Sequence, residues 1–210
     1  MNDQRTLPPR WAASSNSGEF ATLSGARGVY SGSGIGPGSV LLNRYRILSE
    51  LGQGGMGIVY RCFDEVAGIE VALKALPSEL SRNSLEMEYI RENFQLVAKL
   101  VHQNIAINRM LERDPASGDC YLIMECVDGE DLRRWMRRKF RNQPLPIETV
   151  LHIIRQVAAA LDYAHEQKVM HRDIKPGNIM ITPAGTIKIL DFGLAAQIRS
   201  SMSREYCHNF

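Results

Sequence analysis

The chain has 210 residues, of which 44% are hydrophobic and 23% are charged, and its formal net charge is +2. These values are typical of a soluble globular protein, and the small charge indicates no general attraction to nucleic acid or to a membrane surface. No apolar run approaches the roughly 20 residues that cross a bilayer, and the N-terminus lacks the hydrophobic segment of a secretory signal. The four cysteines include no closely spaced pair that would indicate a metal site, and they suggest no disulfide scaffold. We therefore expect a cytoplasmic protein without a membrane segment.

The first 42 residues are rich in Ser, Gly, Ala and Pro, most clearly in the run 31–39. Such a composition cannot bury enough apolar surface to offset the entropy lost on ordering. Residues 1–42 are therefore predicted to be a disordered segment, with ordered structure starting near Tyr45.

The next part of the chain is predicted to contain five strands and one helix. Residues 45–51 alternate between apolar and polar like a half-buried strand, and after a glycine cluster residues 57–64 form the returning strand of a hairpin. The helical spacing of apolar residues predicts a helix over 84–101. The remaining strands are predicted at 68–76, 105–113 and 120–126.

From Gly129 onward the pattern becomes mainly helical. Helices are predicted over 131–140 and 146–167, and two short strands over 178–182 and 186–190 flank a Pro-Ala-Gly turn. The second helix is predicted to have one apolar face, formed by Leu151, Ile154, Val157, Ala158 and Leu161.

The most specific motif is His-Arg-Asp-Ile-Lys-Pro-Gly-Asn at residues 171–178, followed by Asp-Phe-Gly at 191–193. Phosphoryl transfer from a magnesium nucleotide needs a carboxylate to orient a hydroxyl, a cation for the moving phosphate, and oxygen ligands for the metal. The pair of motifs resembles the catalytic loop and the metal-binding motif of the eukaryotic-type serine/threonine protein kinases, including their bacterial members. The resemblance extends over about residues 45–200.

The resemblance implies an α+β, bilobal fold. Residues 43–127 would form the β-rich N-lobe with the hinge, and residues 128–210 would form an incomplete helical C-lobe that ends in the activation segment. It also implies transfer of the ATP γ-phosphate to Ser or Thr hydroxyls of protein substrates, with ATP and Mg²⁺ as cofactors and no nucleic-acid partner.

The resemblance also assigns residue roles in the catalytic machinery. Asp173 would orient the substrate hydroxyl, while Lys175 would neutralise charge on the transferring phosphate. Lys74, in the Val-Ala-Leu-Lys run of the third strand, would contact the α- and β-phosphates. Asn178 and Asp191 would be the magnesium ligands, because hard ions prefer oxygen donors.

A glycine-rich loop and a hinge would complete the nucleotide site. The loop at 52–60 lies between two predicted strands, which argues against a dinucleotide-binding turn between a strand and a helix, and no Gly-Lys-Ser/Thr follows as a Walker-type loop requires. The run Met-Glu-Cys-Val at 124–127 resembles the hinge between the lobes, and its backbone would pair with adenine. Asp131 is a candidate for binding the ribose hydroxyls. The predicted nucleotide-binding residues are Gly52, Gln53, Gly54, Gly55, Met56, Gly57, Val59, Ala72, Lys74, Met124, Glu125, Val127 and Asp131.

One position departs from the family pattern. In the family, the lysine that corresponds to Lys74 pairs with a glutamate on the following helix. The position of that glutamate is occupied here by Asn93. Three alternatives stay open: a neutral Lys74–Asn93 arrangement or a site assembled differently, Glu92 as a substitute, or Glu88. If no carboxylate of the helix pairs with Lys74, we expect Lys74 to contact Asp191 or the phosphates of the nucleotide.

Two further features bear on function. The chain continues only to residue 210, without an Ala-Pro-Glu motif, so the sequence favours a kinase that is inactive as this chain; the alternative is a non-catalytic nucleotide-binding pseudokinase or an interaction module. A small-molecule kinase is disfavoured by Lys175. Basic residues between 133 and 141 are predicted to form a solvated helix face, with an acidic-partner site as the alternative.

Overall fold

The computed structural model describes residues 35–54, 57–141 and 143–192. Within these residues the N-terminal half forms an antiparallel sheet with the strand order β1-β2-β3-β4-β6-β5, flanked by two helices. The C-terminal half contains two longer helices and a small sheet with the order β7-β8-β9. The two parts match the β-rich and the helical lobe that the sequence predicts.

The larger sheet is built from strands whose side chains alternate between two sides. Tyr45 and Ile47 bury one side against Leu73 and Ile123, while Ala72, Leu122 and Met124 pack on the other side against the second helix. The elements in chain order are β1 (Val40–Leu41), β2 (Tyr45–Gly54), β3 (Gly57–Asp64), β4 (Ile69–Ala75), α1 (Ser78–Arg82), α2 (Ser84–Val97), β5 (Asn108–Arg113) and β6 (Cys120–Glu125).

The helical part is organised around a single apolar cluster that includes Trp135, Ile153, Ile187 and Phe192. None of the helices in the described residues is both long enough and apolar enough to cross a membrane. The elements are β7 (Glu130–Asp131), α3 (Leu132–Phe140), α4 (Ile147–Glu166), a 3₁₀ turn (Pro176–Asn178), β8 (Ile179–Ile181) and β9 (Ile187–Ile189).

Ordered structure begins earlier than Tyr45. Val40–Leu41 pairs with β2, and Ile35, Leu41 and Leu42 pack against the apolar side of the sheet that contains Tyr45. The apolar residues at this end of the glycine-rich segment pack against β2 and its sheet. Local composition alone does not indicate this packing.

The apolar face predicted for α4 is confirmed at Val157 and Leu161, which pack against the core of the helical part, and is wrong at Leu151, Ile154 and Ala158, which are exposed. The buried positions are Ile153, Ala160 and Ala164, whereas Leu151 is 36% exposed and Ile154 is 55% exposed. The helix is apolar on more than one side, so periodicity alone does not identify the buried face. The small alanines let the helix approach β9 closely, and this favours their side.

The two lobes are joined by backbone pairing as well as by the hinge. Ile105 forms an isolated parallel bridge with Ile189, and the amide of Ala106 donates to the carbonyl of Ile189 at 2.9 Å. This pairing fixes the start of the Asp-Phe-Gly motif against the N-terminal sheet.

A buried ion pair anchors the first hairpin. Arg44 donates through Nε and Nη2 to the two carboxylate oxygens of Asp64 at 2.9 and 2.8 Å, and the backbone amides of Val66 and Ala67 donate to Oδ1 at 3.0 Å. The pKa of Asp64 is lowered to about 2, mainly because its carboxylate accepts hydrogen bonds from the Arg44 side chain.

Asp64→Asn is expected to lower the free energy of unfolding by about 2 kcal/mol at pH 7. Because the folded-state pKa is depressed, the contribution is present above the unfolded pKa of about 4 and is lost as the pH falls toward 2. Urea denaturation at pH 7 and pH 3 checks this, since the difference between wild type and variant should shrink to roughly half. Glu65→Gln, at the more exposed Arg46 pair, should change stability by less than about 1 kcal/mol. A pH-independent difference for Asp64→Asn contradicts the assignment.

Candidate active site

The loop that follows α4 holds three of the predicted catalytic residues in contact. Lys175 Nζ lies 2.8 Å from Asp173 Oδ2, and Asn178 Nδ2 donates to the backbone oxygen and to Oδ2 of Asp173 at 2.8 and 2.9 Å. The 3₁₀ turn between Lys175 and Asn178 brings these side chains together. The carboxylate of Asp173 is therefore held in a fixed orientation beside a cation.

His171 connects this loop to the Asp-Phe-Gly motif. Its Nε2 donates to the carbonyl of Leu190 at 2.8 Å, its Nδ1 accepts from the amide of Asp173 at 3.2 Å, and its ring stacks edge-on against Phe192 at 4.7 Å. Burial lowers the pKa of His171, so the ring is neutral at pH 7. The prediction that His171 packs against Phe192 is confirmed.

Lys74 on β4 lies beside Asp191, which follows β9. Lys74 Nζ donates to Asp191 Oδ2 at 2.9 Å, and the side chain of Lys74 is only 5% exposed. Asp191 has a φ of 57°, in the left-handed region that non-glycine residues rarely occupy. Such a conformation persists where surrounding structure imposes it, and it is common at functional sites.

Asn178 and Asp191 provide a donor set that fits Mg²⁺. Because Asn178 Nδ2 faces Asp173, its Oδ1 is the atom left to act as a ligand, and Asp191 offers Oδ1 beside the Oδ2 that contacts Lys74. Among residues 35–54, 57–141 and 143–192 no cluster of three His, Cys, Asp or Glu forms an all-protein metal site. Mg²⁺ is commonly held by one or two carboxylates together with water and substrate phosphates. The two oxygen ligands fit that mode of binding.

The glycine-rich loop requires glycine at Gly57 for two reasons. Its φ is +117°, and an added Cβ would lie 1.9 Å from the carbonyl oxygen of Ala75. Gly57 pairs with Gly54 at the end of the hairpin, so the loop lies close to the strand that carries Lys74. Gly52 and Gln53 lie in β2 before this turn. The predicted residues Gly55 and Met56 lie outside the described residues.

Three of the predicted nucleotide-binding residues lie on the same side of the sheet. Ala72 and Met124 are opposite each other on β4 and β6, and Val59 packs against the same apolar cluster. Met124 is 8% exposed, consistent with a place at the back of a pocket. Val127 follows β6 in the connection to α3 and is half-buried.

Glu125 takes part in a contact that the sequence did not indicate. Its amide donates to the carbonyl of Ile107 at 2.8 Å, so this N–H is already used within the protein. Its carboxylate lies 2.8 Å from Lys188 Nζ on β9 and accepts from the amide of Ile107 at 3.0 Å. The ion pair joins the hinge to the strand that leads to Asp191. A lysine between two isoleucines in β9 was the available signal, but it resembles an ordinary solvated position.

Asp131 has local partners that compete with a role in binding ribose. Its carboxylate caps α3 by accepting from the amide of Arg134 at 3.0 Å, and it also lies 3.1 Å from the guanidinium Nε of Arg134. The ribose assignment stays a prediction.

Helix α2 presents no carboxylate to Lys74 in the described structure. Asn93 Nδ2 donates to the carbonyl of Tyr89 at 2.7 Å, one turn earlier in its own helix, and Glu88 and Glu92 are exposed. The expectation that Lys74 rests on Asp191 is confirmed by their contact.

The comparisons with known proteins agree with this geometry. A sequence model described as "Protein kinase domain" matches residues 45–209. The chain is 38% identical over 171 residues to the serine/threonine-protein kinase PksC of Streptomyces coelicolor, covering 80% of this chain and 30% of that protein. It is 38% identical to PknA of Mycobacterium tuberculosis, covering 77% of this chain and 37% of that protein. The chain thus spans about a third of the length of these relatives.

Solved structures show the same fold. The crystal structure of the Mycobacterium tuberculosis PknI kinase domain is 29% identical in sequence and superposes with a TM-score of 0.67, over 77% of this chain and 64% of that one. The bilobal fold expected from the sequence is therefore confirmed. Together with the sequence match over residues 45–209, it shows that the chain belongs to the protein kinase domain family.

Proposed function

We propose that the site transfers the γ-phosphate of ATP to Ser or Thr hydroxyls of proteins. The observation that carries this proposal is the arrangement of Asp173, whose Oδ2 contacts both Lys175 Nζ and Asn178 Nδ2. A carboxylate held beside a cation, on the same loop as a metal-ligand amide, is the arrangement that phosphoryl transfer to a hydroxyl needs. The names of the relatives, which are serine/threonine-protein kinases, support the same reaction.

Each side chain has a distinct task in this proposal. Asp173 orients the acceptor hydroxyl and takes its proton, and Lys175 balances charge on the transferring phosphoryl group. Lys74 holds the α- and β-phosphates of the nucleotide. Mg²⁺ bound by Asn178 and Asp191 would neutralise charge that develops on the phosphate oxygens.

Two broader assignments belong to the same proposal. Residues 43–127, together with the edge strand Val40–Leu41, and residues 128–210 are taken as the two lobes, and protein substrates are the expected partners. We propose a cytoplasmic location, supported by Cys62, Cys120 and Cys126, which are all free thiols in the described part of the chain.

The reaction class is tested with ATP labelled on the γ-phosphate. The protein is incubated with Mg²⁺ and three pools of unstructured peptides, each with a single Ser, Thr or Tyr acceptor. Label is expected on the Ser and Thr pools, and ATP labelled on the α-phosphate is the control that should transfer nothing. Label on the Tyr pool alone, or only as inorganic phosphate, would contradict the proposal.

A second function is favoured by one observation on α2. Glu88 and Glu92 are exposed and Asn93 bonds within its own helix, so Lys74 has Asp191 as its carboxylate partner. A site of this kind can bind a nucleotide without transferring phosphate. Calorimetric binding of ATP and Mg²⁺ without peptide labelling would select this alternative.

Asn93→Glu is expected to increase kcat/KM for peptide phosphorylation by up to about fivefold. The new carboxylate would offer Lys74 a partner on α2 and leave Asp191 free to act on the metal. The gain is small because an ion pair that is partly exposed to water contributes no more than about 1 kcal/mol. Initial rates at several ATP concentrations measure it.

The matched control for Asn93→Glu is the neighbouring acid on the same helix. Glu92→Gln should leave turnover nearly unchanged, because its side chain is exposed. If Glu92→Gln abolishes turnover while Asn93→Ala is tolerated, Glu92 is the partner of Lys74 and the assignment of Asn93 is wrong.

A further inference from the structure

Helix α3 carries six cationic residues within and just after its nine residues: Arg133, Arg134, Arg137, Arg138, Lys139 and Arg141. Side chains four residues apart lie on the same face of a helix. The arginines therefore form two parallel stripes, one of Arg134 and Arg138 and the other of Arg133 and Arg137. The two stripes differ in the residues that surround them.

The stripe of Arg134 and Arg138 is neutralised by acids of the same chain. Arg134 Nε lies 3.1 Å from Asp131 Oδ2, and Arg138 donates through Nε and Nη2 to Glu130 Oε1. Lys139 lies over the ring of Trp135 at 5.0 Å. These cations already have partners on the protein.

The stripe of Arg133 and Arg137 instead lines a cavity of about 350 Å³ whose other walls are Met136, Gln143, Leu145 and Pro176. No acid within the described ranges forms an ion pair with either arginine. The cavity is therefore lined by two arginines together with the apolar residues Met136, Leu145 and Pro176. Such a site suits a short peptide segment that carries carboxylates.

The cavity adjoins the loop that carries Asp173. Arg133 Nη2 lies 3.6 Å from the position that a Cβ on Gly177 would occupy, and Gly177 belongs to the 3₁₀ turn Pro176–Asn178. Asn178 in that turn donates to Asp173 Oδ2 at 2.9 Å. One short loop thus forms both the wall of the cavity and the support of the carboxylate that faces the acceptor hydroxyl.

We propose that this cavity, lined by Arg133 and Arg137, binds acidic residues that flank the acceptor Ser or Thr of a protein substrate. This inference rests on the proposed function and adds the substrate class to it. A peptide extends about 3.3 Å per residue, so residues near the acceptor can reach a site on the adjoining loop. A nucleic acid fits less well, because Asp131 and Glu130 neutralise the second stripe and interrupt any extended cationic surface.

The first measurement is binding, which does not depend on catalysis. Fluorescein-labelled peptides have one central Ser flanked on both sides by Glu, by Gln or by Lys, and fluorescence anisotropy is recorded with the full chain. The Glu peptide is expected to bind at least about tenfold more tightly than the Gln peptide, with affinity that falls as salt is added. Equal affinity for the Glu and Gln peptides would overturn the proposal.

The variants separate the two stripes. Arg133→Gln with Arg137→Gln should remove the preference for the Glu peptide, whereas the matched control Arg134→Gln with Arg138→Gln should keep it. Arg133→Glu with Arg137→Glu should reverse the preference toward the Lys peptide, a gain that a misfolded protein cannot show. If both double Gln variants lose the preference for the Glu peptide equally, the preference reflects the total charge of α3. That result would contradict a specific site at Arg133 and Arg137.

A substitution at Gly177, in the loop beside the cavity, tests the proposed site independently. Gly177→Glu introduces a carboxylate within reach of Arg133, where the structure leaves room for a Cβ. It should weaken binding of the Glu peptide about threefold or more, because the new acid competes for the same guanidinium. Unchanged binding of the Glu peptide would contradict the assignment of the cavity.

Phosphorylation of the same peptides distinguishes a wrong inference from a wrong proposed function. Preferred labelling of the Glu peptide supports the inference. Labelling of all three peptides at equal rates contradicts it and leaves the kinase proposal intact. Binding of the Glu peptide without labelling of any peptide supports the cavity and contradicts the kinase activity. A single-stranded oligonucleotide that binds more tightly than the Glu peptide, and displaces it, would mark the surface as a nucleic-acid site.

Discussion

Asp173→Asn should lower the rate of peptide phosphorylation by about 10²- to 10⁴-fold while leaving nucleotide binding nearly unchanged. The amide keeps the shape of the side chain but cannot accept the proton of the acceptor hydroxyl. It also removes the negative charge that holds Lys175 at 2.8 Å. Initial rates at saturating ATP, together with calorimetry of nucleotide binding, measure the two effects separately.

The matched control for Asp173→Asn is Asp162→Asn on α4. Asp162 is exposed on α4, so its loss of charge should change the rate by less than about twofold. An Asp173→Asn variant that keeps more than about a tenth of the wild-type rate would show that Asp173 does not act as the base.

Asp191→Ala should reduce binding of ATP with Mg²⁺ by at least about tenfold, because it removes the only carboxylate of the predicted metal pair. The same change should destabilise the fold by about 1–3 kcal/mol, since Lys74 is buried and loses the acid that neutralises it. Isothermal calorimetry measures the first effect and urea denaturation the second.

A second substitution separates the metal role of Asp191 from its structural role. Lys74→Met combined with Asp191→Ala removes the buried charge and should recover most of the lost stability, but it should not recover nucleotide binding. Recovery of both would show that Asp191 serves only as the partner of Lys74. Equal heats of binding for wild type and Asp191→Ala would contradict the metal assignment.

The sequence predicted the elements that carry strong local signals. The strand from Gly57 to Asp64 agrees at both ends with the prediction, because glycine and a turn bound an alternating run. The helix predicted over 84–101 ends earlier, at Val97, after which the chain turns through Lys99 and Leu100 toward Ile105. Helix ends depend on local capping, which periodicity does not contain.

The elements that the sequence missed are short and depend on distant partners. Val40–Leu41 exists because β2 is beside it, and Glu130–Asp131 exists because β8 is beside it. Helix α1 is stabilised through Ser81, whose hydroxyl accepts from the amide of Cys120 at 3.1 Å on β6. Such contacts arise only once the chain is folded.

The site was predictable in its residues but less so in their contacts. The spacing of the two motifs indicated Asp173, Asn178 and Asp191. The absence of a glutamate at position 93 left Asp191, the phosphates or another acid of α2 as possible partners of Lys74, and the contact with Asp191 decides among them. The ion pair between Glu125 and Lys188 was not foreseen, because it joins strands that are far apart in sequence. The division of the basic residues on α3 into two stripes with different surroundings likewise depends on where Asp131, Glu130 and Pro176 lie.

The central claim is that a filled nucleotide site transfers phosphate to a Ser or Thr hydroxyl. The most direct measurement uses one sample of the wild-type protein, saturated with ATP and Mg²⁺ as verified by calorimetry, to which the best peptide substrate is then added. We expect the γ-phosphate on the Ser or Thr of that peptide, located by mass spectrometry. A site that is filled with nucleotide and yet transfers no phosphate would contradict it.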